Sequence, residues 1–369
     1  MINNTKVGNQ IAFLRKEKGL TGEKFAERLG VSPQAVSKWE NGKCLPETAL
    51  LPALSALLGV SIDAILTPPQ TVTRKFKQND AEFHLYNFVR SHINCIPQIY
   101  RLDEDTRTIV MEDVNETYVS GRHYDEENDD GAWIRGHIYD ILQTAADWHS
   151  TFWEDDIAFE SIHLDWRHLT QENFAAHISM MEKDFNKFKK NADAGKIPQV
   201  WEGVFAGEPF RIVNNIDTQK LVYFTDAIAR MKTEYTKSIG SRFRSGKNIT
   251  VIHGDMNPNA ALVSKSADGH VKFQGLQAVR MGLPTEDLAM LLALHIAPRK
   301  KDAIPLLDSY YRYLCKSVKR YAYESFLEDY KFAVMENMFF IVRLINRKIY
   351  DFEMLAKAME AFETFVLEE

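Results

Sequence analysis

The feature that most constrains the fold of this sequence is a pair of short helical segments joined by a glycine turn near the N-terminus. Apolar residues recur at helical intervals through residues 21–29 and again through residues 33–41. Gly30 ends the first segment, and Ser32-Pro33 begins the second with a capping residue and a proline at the first helical position. This arrangement predicts a helix-turn-helix. Leucine-rich periodicity continues beyond it, so we expect an all-α domain of five helices over residues 1–68.

The run from Leu20 to Gly42 resembles the Cro/repressor (XRE-type) family of DNA-binding domains, including its Val-Ser-x-Trp-Glu-x-Gly ending. The resemblance implies that the second helix of the motif lies in the major groove of double-stranded DNA, where amide-bearing and short side chains reach base edges. It also implies a structural ion pair between Arg15 and Glu40. The residues expected to contact DNA, with Gln34 and Lys38 as the best base readers and the others mostly at phosphates or caps, are Thr21, Ser32, Pro33, Gln34, Ser37, Lys38, Asn41 and Lys43.

Charge is distributed unevenly along the chain. The net charge is −6, yet residues 1–68 hold eight Lys and Arg against six Asp and Glu. Phosphate attraction is local, because salt screens charges within about 10 Å. A mildly basic head on an acidic body therefore suits a protein that touches DNA only through its N-terminal domain. Repressor-type heads usually bind as dimers, so we expect a homodimer on a palindromic operator.

A proline-rich segment, Thr67-Pro68-Pro69-Gln70, ends the helical pattern and marks a domain boundary. We expect a linker and first strand over residues 69–78 and a second domain over residues 79–369. Its first part predicts a strand at 71–77, a helix at 81–91 and a hairpin of 99–102 with 108–111. From Trp133 onward the pattern predicts long helices interrupted by one strand-rich patch at 249–275. A small β-rich lobe before a large helical lobe is an α+β arrangement.

The strand-rich patch contains His253-Gly254-Asp255, which resembles the catalytic loop of aminoglycoside phosphotransferases and choline-kinase-like proteins. Three further segments agree with that family in their order along the chain: the hinge-like run 109–114, the run 145–153 and the run 282–289. The resemblance implies a protein-kinase-like two-lobe fold. Too few residues precede the helix at 81–91 for the glycine-rich loop of the family, so its N-lobe is truncated.

Phosphoryl transfer in this family needs an aspartate that orients the attacking hydroxyl, and an asparagine and an aspartate that hold magnesium. By resemblance Asp255 takes the first role, with His253 beside it. Ala260 stands where the asparagine is expected, and Gly275 where the second aspartate is expected. The resemblance therefore implies a pseudokinase with no metal site and no cofactor.

Vestiges of a nucleotide site remain as candidates. Lys75 or Lys77 could hold phosphate with Glu82 as its partner, although an ordinary charged strand beside a helix explains these residues equally well. Glu112 lies at the hinge-like run, and with Asp255 and Asp287 it suggests an acidic cleft for a small cationic or hydroxylated effector.

Three functions stay open from the sequence. The first is a transcriptional regulator whose kinase-like domain senses a ligand or mediates dimerisation. The second is an active small-molecule phosphotransferase that uses ATP and magnesium and carries its own DNA-binding domain. The third treats the large domain as a protein-interaction scaffold.

Cysteine usage and hydropathy bear on location. Three well-separated cysteines (Cys44, Cys95 and Cys315) suggest reduced thiols rather than a disulfide framework. No apolar run approaches the ~20 residues of a membrane span, and the polar N-terminus lacks a signal-peptide core. We therefore expect a cytoplasmic protein without a membrane partner.

Overall fold

The computed structural model describes residues 3–67, 71–77, 80–89, 93–120, 132–162, 170–205, 208–266 and 269–368. Residue contacts divide the chain into two compact units: Met1–Thr73 with Met111–Asp113, and Arg74–Val110 with Val114–Glu369. The Pro68-Pro69-Gln70 segment, where the sequence places a domain boundary, lies outside the described residues. Within the described ranges, no helix combines the length and apolar character needed to cross a membrane.

Residues 3–67 form five α-helices, which confirms the prediction for this segment. They are α1 (Asn4–Glu17), α2 (Gly22–Leu29), α3 (Pro33–Glu40), α4 (Leu51–Leu58), preceded by a 3₁₀ turn at Thr48–Leu50, and α5 (Ile62–Leu66). Thr21, Ser32 and Ser61 cap α2, α3 and α5 through their hydroxyl groups. Gly30 ends α2 in the left-handed region with φ of 68°, a conformation that favours glycine. The local signals in the sequence therefore decide where these helices begin and end.

The core of the helical domain is a single cluster of buried apolar side chains contributed by all five helices. Its buried members, with Leu20 from the turn between α1 and α2, are Val7, Ile11, Leu20, Phe25, Ala26, Leu29, Val36, Trp39, Leu51, Leu54, Leu58 and Ile65. Because the cluster uses one apolar stripe from each helix, the opposite polar faces remain available to solvent.

The second unit contains short strands and long helices. The strands are β1 (Thr71–Lys75, which begins in the first unit), β2 (Ile99–Asp103), β3 (Thr108–Glu112), β4 (Tyr118–Ser120), β5 (Val200–Phe205), β6 (Glu208–Val213), β7 (Thr250–Ile252), β8 (Ala261–Ser264), β9 (Val271–Phe273) and β10 (Arg280–Gly282). The helices are α6 (Ala81–Val89), α7 (Ala132–Thr151), α8 (Asp156–Ser161), α9 (Gln171–Asp193), α10 (Val222–Glu234), α11 (Gly240–Ser245), α12 (Pro284–Leu288), α13 (Lys300–Leu314), α14 (Tyr323–Asn346) and α15 (Phe352–Phe362).

The sheets in the described residues are small. Strands pair in the orders β1-β3-β2 and β4-β8-β9, and as the two-stranded sheets β7-β10 and β5-β6. The β5-β6 hairpin contradicts the expectation of one strand-rich patch after Trp133. Gly203 and Pro209 interrupt its apolar alternation, and both residue types weaken a strand pattern. Strands β4 and β10 also lie outside the predicted strand segments, whereas the α+β class is as predicted.

Two antiparallel pairings position the His253–Asp255 loop. Strand β7 pairs with β10, placing Ile252 opposite Arg280, and β8 pairs with β9, placing Ala261 opposite Phe273. The loop of residues 253–260 therefore begins beside β10 and ends beside β9. Helix α14 lies in the core of the domain, with most of its residues buried.

Candidate functional site

Helix α3 presents a polar face while its apolar face is anchored in the core. Val36 and Trp39 are buried, and the side chains of Gln34, Ser37 and Lys38 are exposed. This alternation follows the helical period, so the three exposed residues occupy the side of α3 that faces away from the domain.

The caps around this helix use several of the side chains that the sequence singles out. The backbone amide of Lys24 donates to Thr21 Oγ1 at 3.3 Å, and that of Ala35 donates to Ser32 Oγ at 3.2 Å. These hydroxyl groups hold the starts of α2 and α3, where the backbone amides of a helix N-terminus favour phosphate. Pro33 is the first residue of α3.

The end of α3 is stabilised by a side-chain amide. Asn41 Nδ2 donates to the carbonyl oxygen of Ser37 at 2.8 Å and lies 3.2 Å from its Oγ. Ser37, Asn41 and Lys43 are all exposed, so this end of α3 faces solvent. Sequence reasoning did not predict the Asn41–Ser37 contact.

The predicted ion pair between α1 and α3 is present. Arg15 Nε lies 2.6 Å from Glu40 Oε1, and Arg15 Nη2 lies 3.1 Å from Glu40 Oε2, a bidentate geometry. A second close approach was not predicted: a Cβ added to Gly8 would lie 2.1 Å from the Trp39 carbonyl oxygen. The signal in the sequence was Gly8 itself, because a glycine inside a helical apolar pattern often marks a close packing contact. Helices α1 and α3 therefore contact each other at two places: the Arg15–Glu40 ion pair and the close approach of Gly8 to the Trp39 carbonyl oxygen.

In the second unit, a buried carboxylate organises the His253–Asp255 loop. Asp287 Oδ2 accepts the backbone amide of His253 at 2.7 Å, and Asp287 Oδ1 accepts that of Gly254 at 2.8 Å. His149 Nε2 lies 3.1 Å from Asp287 Oδ2, and His149 Nδ1 lies 2.7 Å from the hydroxyl of Tyr310. The sequence suggested Asp287 as part of an acidic ligand cleft. That prediction is wrong, because Asp287 is 0% exposed and both of its oxygens have hydrogen-bond partners.

The protonation of this network follows from its partners. Burial of the Asp287 carboxyl opposes ionisation, but the hydrogen bond and charge of His149, the charge of His253 and the Gly254 amide outweigh it. The pKa of Asp287 therefore lies below its ordinary value. The lowered pKa favours the ionised carboxylate, the form that accepts hydrogen bonds from both backbone amides.

His253 and Asp255 lie together but do not share a hydrogen bond between their side chains. His253 Nε2 lies 2.8 Å from the Gln274 carbonyl oxygen, and His253 Nδ1 lies 3.3 Å from the backbone amide of Asp255. The Asp255 carboxylate accepts a hydrogen bond from Asn257 Nδ2 at 3.0 Å. His253 is thus a buried structural residue that shapes the loop, whereas Asp255 is half-buried at its surface.

The two positions where the resemblance expects metal ligands lie at adjacent strand ends. Ala260 is 5% exposed, and Gly275 adopts a left-handed conformation with φ of 75°. Gln274 connects the two strand ends through two hydrogen bonds. Its side-chain Nε2 donates to the Asn259 carbonyl oxygen at 2.9 Å, and its backbone amide donates to the Ala260 carbonyl oxygen at 3.0 Å. Neither a methyl group nor a hydrogen atom can coordinate magnesium, so the residues present do not fit the ion.

The structure corrects the partner of Glu82. Arg74, and neither Lys75 nor Lys77, binds Glu82, with Nη–Oε distances of 2.7 and 3.0 Å. Arg74 is half-buried on one face of β1, and Lys75 is exposed on the other because side chains alternate along a strand.

Glu82 and Glu112 are the two acidic residues that the resemblance assigns to a nucleotide site. The hydroxyl of Tyr86 also donates to Glu82, at 3.1 Å, so the carboxylate is fully engaged. Glu112 is the half-buried last residue of β3.

A cavity of about 540 Å³ lies beside Asp255. Its polar lining includes Arg280 from β10, His177 from α9 and Glu336 from α14, and His177 Nε2 lies 2.7 Å from Glu336 Oε1. Met181, Met290 and Phe340 supply apolar wall. His177 and Glu336 come from helices far apart in the sequence, which is why no sequence pattern indicated them.

The helical domain is similar to known transcriptional regulators. Residues 11–65 match the helix-turn-helix family. Over 62 residues the chain is 44% identical to the uncharacterized HTH-type transcriptional regulator y4dJ from Sinorhizobium fredii, a match covering 17% of this chain and 80% of that protein. It is 38% identical over 77 residues to the HTH-type transcriptional activator BcrR from Enterococcus faecalis, covering 21% of this chain. The chain spans only 38% of the length of BcrR.

The second domain matches a different family. Residues 167–364, more than half of the chain, match the family described as uncharacterized oxidoreductase dhs-27. The chain therefore belongs to the HTH-type transcriptional regulators through its N-terminal domain and to this second family through its C-terminal part.

Solved structures with similar folds span most of the chain. Choline kinase LicA from Streptococcus pneumoniae has a TM-score of 0.43 and 12% identity, covering 82% of this chain and 87% of that one. A putative aminoglycoside phosphotransferase from Ralstonia eutropha JMP134 has a TM-score of 0.49 and 14% identity, covering 80% of this chain and 86% of that one.

Proposed function

We propose that this protein is a sequence-specific transcriptional regulator that binds double-stranded DNA through α3. The observation that carries the proposal is the exposed row Gln34, Ser37 and Lys38 on a helix held by buried Val36 and Trp39. An amide, a hydroxyl and an ammonium group on one rigid face are the groups that read base edges in the major groove. Membership of the HTH-type transcriptional regulators supports this role.

The kinase-like domain, by this proposal, has no catalytic role. Asp255 keeps the position of the residue that orients the attacking hydroxyl, but Ala260 and Gly275 replace both magnesium ligands. Magnesium neutralises the charge of the transferring phosphoryl group, and such electrostatic stabilisation is usually the largest catalytic contribution. The hydrogen bond from Gln274 Nε2 to the Asn259 carbonyl oxygen joins the segments that carry Gly275 and Ala260, so a protein contact links them.

The cavity beside Asp255 supports an effector-sensing role for this domain. It has the size of ordinary small-molecule sites and combines apolar wall with a few polar groups. A ligand changes DNA affinity only if it binds the DNA-competent and incompetent states differently. Although the matched family is described as an oxidoreductase, we infer the role of this domain from the loop of residues 253–260 and the cavity beside it.

DNA binding through α3 also bears on how many copies of the protein assemble and where it acts. A single α3 reads only a half-site, so we propose a homodimer on a palindromic operator whose half-sites lie about 10 base pairs apart. We also propose that the protein acts in the cytoplasm.

The test of DNA recognition is selection of duplexes from a random pool by the full-length protein, followed by titration of the recovered sequence. We expect an inverted repeat, an affinity that falls as salt rises, and a scrambled duplex that binds more weakly. Recovery of no enriched sequence, or equal binding of the scrambled duplex, would contradict the proposal.

An active small-molecule phosphotransferase is the second candidate, and Asp255 at the cavity favours it. This candidate requires magnesium-dependent ATP binding, so calorimetric titration of ATP with and without magnesium separates it from the pseudokinase.

A further inference from the structure

The wall of the cavity holds a carboxylate and a guanidinium group that are neighbours without being partners. Among the described residues, Asp255 forms no ion pair and accepts only the Asn257 amide at its side chain. Arg280 is 8% exposed, its Nη2 lies 2.6 Å from Glu286 Oε2, and its buried Nε has no hydrogen-bond partner. Each group therefore retains hydrogen-bonding capacity within the same cavity.

The two groups are close because Arg280 packs against the loop. A Cβ added to Gly254 would lie 2.3 Å from Arg280 Nη1, so this guanidinium nitrogen lies against the residue that precedes Asp255. Arg280 reaches this position from β10, whose pairing with β7 sets it opposite Ile252. The backbone thus fixes one negative and one positive group on adjoining parts of the wall.

The other charged groups of the lining, Glu336 and Arg343, also have ion-pair partners, as Arg280 has Glu286. Glu336 is bound to His177 at 2.7 Å, and Arg343 Nε lies 3.3 Å from Asp184 Oδ2. The carboxylate of Asp255 favours a cationic group. The charge of Arg280 is balanced by Glu286, but its unpartnered Nε–H favours a hydrogen-bond acceptor such as a carboxylate. A ligand with both charges a short distance apart meets a complementary group at each end.

We propose that the cavity binds a small zwitterion with the head group of a free amino acid. Its ammonium group binds Asp255, its carboxylate binds Arg280, and its side chain lies against Met181, Met290 and Phe340. Charge-assisted hydrogen bonds at both ends supply orientation, and the volume of about 540 Å³ accommodates a molecule of this size. The inference rests on the proposed function, because it names the chemical class of the effector.

Thermal unfolding of the full-length protein with free L-amino acids, added one at a time, tests the ligand class. The best stabiliser is then compared by calorimetry with its decarboxylated amine and its deaminated acid, which each lack one charge. We expect the intact amino acid to bind about tenfold or more tightly than either fragment. Absence of any stabilising amino acid, or an amine that binds as tightly as its amino acid, would overturn the inference.

Variants test the assigned contacts. Asp255→Asn keeps the shape of the side chain and should weaken amino-acid binding about tenfold, whereas the matched surface variant Asp302→Asn should leave it unchanged. Unchanged affinity in Asp255→Asn would overturn the inference. The same samples are titrated with the selected operator. Loss of DNA recognition with intact amino-acid binding would contradict the proposed regulator and leave the site standing, and the reverse result would contradict the site alone.

Discussion

Asp287 accepts a hydrogen bond from the backbone amide of His253 at 2.7 Å while its carboxylate is fully buried. The same carboxylate holds the Gly254 amide and contacts His149, so one side chain from α12 fixes the start of the 253–260 loop. The loop therefore keeps its shape although Ala260 and Gly275 cannot bind a metal ion. An ordered loop beside a cavity suits the binding role that we propose for this domain.

Replacement of Asp287 should unfold or loosen the second domain. Asp287→Ala leaves two backbone amides and a buried imidazole without an acceptor, and removing one member of such a buried network costs about 3–5 kcal/mol. The free energy of unfolding is measured by denaturant titration of the tryptophan fluorescence, with Asp302→Ala as a control at an exposed aspartate. A loss as small as that of the control would show that the loop does not depend on Asp287.

The ion pair between α1 and α3 should stabilise the helical domain. Glu40→Gln removes the charge opposite the mostly buried Arg15, and we expect a loss of about 1–3 kcal/mol in the free energy of unfolding. A double-mutant cycle with Arg15→Met isolates the pair energy. The exposed pair Arg299–Asp302 serves as a comparison and should contribute less than about 1 kcal/mol. Equal pair energies at the two sites would contradict the role assigned to Arg15 and Glu40.

DNA recognition should depend on the exposed face of α3. Gln34→Ala and Lys38→Ala should each weaken binding to the selected operator by about 1–3 kcal/mol while the melting temperature stays the same, because both side chains are exposed. Lys331→Ala removes the same charge outside the helical domain and should leave the affinity unchanged. Fluorescence anisotropy with a labelled duplex measures the affinity of each variant, and thermal unfolding measures its melting temperature. Wild-type affinity in the Gln34 and Lys38 variants would place the DNA-binding surface elsewhere.

Acid should destabilise the second domain through His295. Burial, together with the charge of Lys357, lowers the pKa of His295 to about 4, from 6.5 for an unperturbed imidazole. Between these values the unfolded chain binds a proton that the folded chain does not, so stability falls as the pH drops from 6.5 towards 4. The loss is at most about 3 kcal/mol. Denaturant titrations across this range should show a weaker pH dependence in His295→Gln than in the wild type, and parallel curves would contradict the assignment.

The helical domain was predictable because its signals are local. Caps at Thr21 and Ser32, the turn at Gly30 and the apolar period of α3 each act within a few residues. The Gly8–Trp39 approach was not predictable, since it depends on how α1 and α3 pack.

The second domain was predictable only through its short motifs. The sequence indicated a loop at His253–Asp255, but it suggested a lysine as the partner of Glu82, where the structure has Arg74. Strand alternation puts Arg74 and Lys75 on opposite faces, and the sequence alone does not say which face meets α6. The cavity was also beyond the sequence, because its lining residues meet only after long helices pack.

The most direct test of the proposal that this domain binds no magnesium is calorimetric titration of ATP into the full-length protein with and without magnesium. The variant Ala260→Asn/Gly275→Asp is a matched comparison, since aspartate tolerates the left-handed conformation of residue 275 and the nearest atom to an added Cβ there is 3.8 Å away. We expect no magnesium-dependent binding in the wild type and a gain of such binding in the variant. Micromolar ATP binding by the wild-type protein only in the presence of magnesium would contradict the pseudokinase and favour an active phosphotransferase.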